Sequence, residues 1–121
     1  MLDIFPISYI GRVVDPTVAT VFQALAEPRR LAILELLREG EKPVGELVER
    51  LGASQPVVSK HLRVLKEAGL VDVRPDAQQR FYRIRTTPLA ELDDWLAPYR
   101  ALWEERLDRL EEHLNRRRKH E

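Results

Sequence analysis

Two amphipathic segments meet at the four residues Leu51-Gly52-Ala53-Ser54, and this junction constrains the chain more than any other feature. After the junction, in QPVVSKHLRVLKEAG, Val58, Leu62 and Leu65 recur at the i, i+4, i+7 spacing of one helical face. Ser54 stands at the N-cap, where its hydroxyl can accept from a free N–H of the first turn, and Gly69 closes the segment. Before the junction, Pro43 to Leu51 predicts a short helix with Leu47, Val48 and Leu51 inward, stopped by Gly52. Two helices joined by so short a turn form a helix-turn-helix unit.

The rest of the chain reads around that unit. Asp15-Pro16 is a helix start, an N-cap carboxylate followed by proline at the first helical position. Val18, Val21, Phe22 and Leu25 then share one face. Glu27-Pro28 opens a second helix whose buried side is assigned to Leu31, Ile33, Leu34, Leu36 and Leu37, with Gly40 as its C′ residue. Beyond Gly69, LVDV and RFYRIR alternate as two short strands, Tyr82 and Ile84 sharing a face, around a polar loop RPDAQQ. Thr87-Pro88 starts a long last helix, and Pro98 predicts a kink or break near Leu96 to Pro98. The expected architecture is mainly α with a small β-hairpin. It divides into an arm over 1–14, a winged helix-turn-helix unit over 15–87 and a C-terminal helix over 88–121. The arm is apolar but broken by Pro6 and Gly11; it reads either as a segment lying on the body or a second chain, or as a frayed tail.

The length, 121 residues, suits one domain, and 44% hydrophobic residues are enough for a core. The longest stretch without a charge, Pro16 to Ala26, has 11 residues and is too short to cross a membrane. With Asp3 near the start and no basic leader, a cytoplasmic protein without membrane contact is expected. There is no cysteine, so no disulfide and no thiolate site is possible.

Net charge is zero, yet its distribution is uneven. From Ser54 to Arg85, seven basic residues face three acidic ones; from Leu89 to Glu112, eight acids face three arginines. The basic part coincides with the helix-turn-helix and the hairpin. The outward positions of its second helix are Gln55, Ser59, Lys60, Arg63 and Lys66. Such side chains read base edges in a major groove, and the cations among them neutralise phosphates. Arg74 and Arg80 flank the hairpin loop, placed as a wing to reach the DNA backbone or minor groove. A lone helix with three basic residues is usually just a solvated face. Helix, turn, capped helix and basic hairpin in that order point instead to double-stranded DNA.

The stretches FQALAEPRRLAILELL, VGELVERLGASQPVVSKHLRVLKEAGLV and QQRFYRIR resemble the ArsR family of winged-helix bacterial repressors, over about Val21 to Arg85. The resemblance implies a homodimeric transcription factor that leaves its operator when a signal arrives. It adds Ser54, Ser59 and His61 to the DNA-contacting set, through the pattern shared by Ser54, Ser59, His61 and Leu62. A second reading of His61 stands beside it: next to Leu62, it supports the packing of the recognition helix.

In the last helix Leu92, Leu96, Tyr99, Trp103, Leu107, Leu110 and Leu114 step by fours and threes into an apolar stripe. So small a core cannot cover a helix of this length, and the stripe is expected to meet the same helix of a second chain. Trp95 and Trp103 are the candidate aromatic anchors. The alternative is that the stripe folds back on its own core. The tail NRRRKH suits the negative end of a helix dipole, with DNA contact as the other reading.

Family members that sense soft metals use cysteine pairs, which this chain lacks. A zinc site of the family's other kind pairs Asp and His on the last helix. Here His113 and His120 stand seven apart, without an Asp-x-His pair. A histidine and carboxylate site is therefore the less favoured alternative, and no cofactor is implied. Nothing identifies an inducer, which is left between an organic ligand near Trp95, Tyr99 and Trp103, a protein partner and none. No glycine-rich phosphate loop, nucleophile motif or oriented histidine is present, so no enzyme is expected. The other rival is a winged helix used only for contact with protein, in which Lys60, Arg63 and Arg80 would be dispensable.

Overall fold

A computed structural model of the chain describes residues 15–119. The arm expected over 1–14, and His120 at the end of the tail, lie outside the described residues. The elements follow in the order α1 (Pro16–Leu25), α2 (Pro28–Leu37), β1 (Lys42–Pro43), α3 (Val44–Leu51), α4 (Gln55–Glu67), β2 (Val71–Asp76), β3 (Gln79–Ile84) and α5 (Thr87–Lys119).

Three of the helices begin at a side-chain cap. The Asp15 carboxylate accepts from the Thr17 N–H, and the Glu27 carboxylate accepts from Arg29 and Arg30 N–H groups, with proline in the first turn each time. Ser54 caps α4 by accepting from the Val57 N–H at 3.4 Å. Gly52 ends α3 at φ +65°, a left-handed conformation that a side chain would strain. Gly69 turns the chain out of α4 at φ +76°, where an added Cβ would also touch Pro88 at 3.5 Å. Gly40 stands two residues beyond the Arg38 C-cap of α2, one place later than expected, because the helix stops at Leu37.

The core forms where these helices meet the sheet. Ile33, Leu34 and Leu37 of α2, Leu47 of α3, Val58, Leu62 and Leu65 of α4, and Leu70 and Val71 after it are buried together with Val21 and Ala24. Tyr82 and Ile84 pack on this cluster from β3. Leu31 is 46% exposed and Phe22 is 42% exposed, so neither belongs to the interior face assigned to it. Ala24 takes the buried place on α1, since its small side chain lets the helix sit close to its neighbours.

Two differences from expectation concern the wing, and a third the last helix. The sheet has three strands in the order β1-β3-β2, all antiparallel. Pro43, expected at the start of a helix, pairs with Phe81 before α3 begins, and Lys42 beside it pairs with Tyr82. The loop RPDAQQ is mostly strand, because β2 and β3 stay paired out to Asp76 opposite Gln79. Only Ala77 and Gln78 form the turn, with Ala77 at φ +56°, where glycine would sit at less cost. Finally, α5 runs as a single helix of 33 residues through Pro98, without the expected break. Only one backbone hydrogen bond is lost at such a proline, and the helix continues on both sides.

Candidate nucleic-acid interface

The sheet and the helix-turn-helix leave one broad concavity between them. It has a volume of about 810 Å³, and Gln55, Ser59, Arg63 and Lys66 of α4 form one wall. These positions follow one another at four, four and three residues, so they share a helical face while Val58, Leu62 and Leu65 hold the other face in the core. Gln78, Gln79 and Arg80 close the cleft from the wing, and Val44 to Glu46 close it from the first turn of α3. The pairing of β1 with β3 sets this last wall in place. It could not be foreseen from the sequence, since a two-residue strand carries no periodicity.

The structure sorts the seven basic residues of this region, which composition cannot do. Arg74 donates to Glu41 at 2.5 Å, stands 3.6 Å from Asp76 and lies over the Phe81 ring. Its guanidinium is held even more firmly protonated than usual, chiefly by the Glu41 hydrogen bond. The same contact holds the Glu41 carboxyl below its ordinary value. Arg83 and Arg85 both face Asp72, at 3.9 and 3.6 Å. Among the described residues, no carboxylate lies within ion-pair distance of Lys60, Arg63, Lys66 or Arg80. Of the expected contact residues, Gln55, Ser59, Arg63, Lys66 and Arg80 therefore converge on one cleft. Ser54 and Lys60 are exposed beside it, whereas Arg74 is tied back against the body of the wing.

His61 is the exception on α4. It is 8% exposed and points away from the outward row, into the junction of α1, α2 and α4. Its Nδ1 lies 3.5 Å from Arg30 and 3.9 Å from Glu27. Arg30 also donates to the carbonyls of Ala24 and Gln23 at the end of α1. Burial alone would raise the Glu27 carboxyl; the Arg30 and Arg29 N–H bonds and the nearby His61 outweigh it and hold the group below its ordinary value. This geometry fits the packing reading of His61 and turns its side chain away from the cleft.

The stripe on α5 divides in two. Leu92 packs against the core cluster, and Leu96 is half-buried. Trp95 is half-buried between Phe22, edge-on at 5.3 Å, and Tyr99 at 4.8 Å. Beyond this, Trp103 is 63% exposed, and Tyr99, Leu102, Leu107, Leu110 and Leu114 stand open along the same helix. The fold-back alternative thus holds only for the first turns of α5. Among the described residues, no group of three or more His, Asp or Glu stands together as a metal would require. No described helix is long and apolar enough to cross a membrane.

Comparison with known proteins decides the family. A model of the bacterial regulatory proteins of the arsR family matches residues 27–73, which run from the cap of α2 into β2. The transcriptional repressor SdpR of Bacillus subtilis is 34% identical over 76 residues, which are 63% of this chain and 84% of that protein. The chain belongs to the ArsR family. The biofilm growth-associated repressor of Agrobacterium fabrum is 45% identical over 75 residues, covering 62% of this chain and 64% of the relative. The crystal structure of an ArsR family transcriptional regulator superposes with a TM-score of 0.67 at 31% identity, over 75% of this chain and 94% of the other. This ArsR-family chain accordingly has the winged-helix fold of transcriptional regulators, and its relatives are regulators rather than enzymes.

Proposed function

We propose that this ArsR-family protein is a homodimeric, sequence-specific DNA-binding repressor of the cytoplasm, with residues 15–87 reading DNA and α5 joining two copies. One observation carries the reading: the four cations of this region that have no carboxylate partner among the described residues stand on or beside the cleft, three of them in its wall. A major groove about 12 Å wide admits one helix. With α4 inserted, Gln55, Ser59 and Arg63 meet base edges, Lys60 and Lys66 meet phosphates, and Arg80 follows the backbone from the wing. The names of the relatives, repressors in Bacillus subtilis and Agrobacterium fabrum, support the direction of control.

A duplex taken from upstream of the protein's own gene tests this in a gel shift. The wild type is expected to retard it, and Arg63→Glu to abolish the shift while the far-ultraviolet circular dichroism stays the same. Retention of the shift by a folded Arg63→Glu protein would overturn the assignment of α4, and no shift by the wild type in dilute buffer would favour the protein-contact reading.

A further inference from the structure

A second, smaller concavity touches α4 through residues that the basic cleft does not use. It has a volume of about 220 Å³ and lies between α2, the end of α3 and α4. Ala32, Ile33, Leu51 and Val57 make it apolar, while His61 and Arg29 supply its polar atoms. An apolar cavity of about 150 Å³ accommodates benzene, so the space suits one aromatic ring with a small substituent.

The polar atoms specify that substituent. Among the described residues, the hydrogen-bond and ion-pair contacts of the His61 ring are made through Nδ1, toward Arg30 and Glu27. Nε2 has no hydrogen-bond partner there, and His61 is one of the residues that line the cleft. Arg30 can only donate, which makes Nδ1 the acceptor and leaves the ring proton on Nε2. A doubly protonated ring facing Glu27 keeps that proton as well. His61 therefore offers a donor, and Arg29, an exposed residue of the lining, adds positive charge. A carboxylate satisfies both, and its ring would lie on Ala32, Ile33 and Val57.

We propose that this cleft binds a small monocyclic aromatic carboxylate, and that its occupancy is a signal transmitted to DNA through α4. The signalling half rests on the DNA-binding reading; the binding half does not. A ligand wedged between α2 and Val57 can shift α4, whose opposite face carries Ser59 and Arg63.

The experiment uses the full chain and benzoate, with no DNA present, followed by backbone amide NMR. Benzoate is expected to shift the Ala32, Val57 and His61 signals saturably, and benzyl alcohol to bind about tenfold more weakly for want of the charged acceptor. Ala32→Phe fills the space and is expected to remove the shifts. Arg29→Gln, at an exposed position, is expected to weaken binding by about two- to fivefold. Absence of saturable shifts in the wild type overturns the proposal, as does full binding by a folded Ala32→Phe protein. Should that variant fail to fold, equal affinity for benzoate and benzyl alcohol in the wild type overturns it instead. Saturating benzoate is then expected to move the midpoint of the gel shift; binding without such a change overturns the signalling half. Failure of the ligand-free wild type to shift any duplex would count against the DNA reading alone.

Discussion

Glu41 accepts from Arg74 across the wing, Oε1 to the guanidinium at 2.5 Å, and so joins the loop before β1 to strand β2. The partnership distinguishes the two wing arginines, because Arg74 is engaged by carboxylates while Arg80, among the described residues, is not. It also has a pH signature. The Glu41 carboxyl is held below its ordinary value of 4.5, first by the Arg74 hydrogen bond, which outweighs the opposing effect of burial. A carboxyl lowered in the folded state stabilises the fold above its unfolded value, and that contribution fades as pH falls through the lower folded value. Urea midpoints measured from pH 6 down to pH 3 are expected to fall less steeply in Glu41→Gln than in the wild type. Parallel curves would mean that the contact contributes nothing to stability in solution.

Ser54 has two roles that can be separated. Its hydroxyl caps α4, and its position at the start of that helix faces the expected phosphate backbone. Ser54→Ala is expected to lose about 0.5–2 kcal/mol of stability, as loss of a cap does. Ser54→Asp keeps a capping acceptor and suits the helix dipole, so its thermal midpoint should stay near that of the wild type. Its charge would nonetheless repel phosphate, and DNA affinity should fall sharply. Differential scanning calorimetry beside a gel shift checks both; a Ser54→Asp protein that binds DNA as well as the wild type would place this helix end away from the backbone.

Much of this molecule is legible in its sequence, for identifiable reasons. The caps at Asp15, Glu27 and Ser54 and the stop at Gly52 are local chemistry, and the structure bears them out. The inward row Val58, Leu62 and Leu65 follows from helical period alone. What stayed hidden depends on contacts between distant segments. Strand β1 exists only because β3 passes beside Lys42 and Pro43. Arg74 and Arg80 are equivalent as letters, and the arrival of Glu41 from 33 residues away, with Asp76 and the Phe81 ring beside it, distinguishes them. His61 lies one step from Leu62 and so rotates about 100° from it. Whether that direction is solvent or interior depends on where α2 packs, and Arg30 and Glu27 fill it.

The unpaired cations make the salt dependence of binding countable. Each phosphate neutralised on B-DNA contributes about −0.9 to the slope of log affinity against log salt. Arg80 on a two-fold dimer acts twice, so Arg80→Ala is expected to reduce the slope by about 1.8. Arg74→Ala, with its guanidinium already tied to Glu41, should leave the slope nearly unchanged. Fluorescence anisotropy titrations between 50 and about 300 mM salt resolve such a difference. Equal changes in the two variants would show that Arg74 leaves Glu41 when DNA arrives.

The outer part of α5 leads to the remaining expectation. A helix of 33 residues is roughly 50 Å long. Its first turns are covered by α1 and the core, while Trp103, Leu107, Leu110 and Leu114 stand open to water. Pairing this face with its copy removes those side chains from water at about 25 cal/mol for each Å² of apolar surface. Leu110→Glu would place a carboxylate in such an interface on both copies. An unpaired charge there costs several kcal/mol, and each 1.4 kcal/mol is about a tenfold loss of affinity. Sedimentation velocity is expected to show a dimer for the wild type and a monomer for Leu110→Glu at the same micromolar concentration. The substituted residue is 54% exposed in the single chain, so the winged unit itself should remain folded. DNA affinity should fall with dimerisation, since two half-sites are then no longer read together. A Leu110→Glu protein that remains dimeric would move the interface to another face.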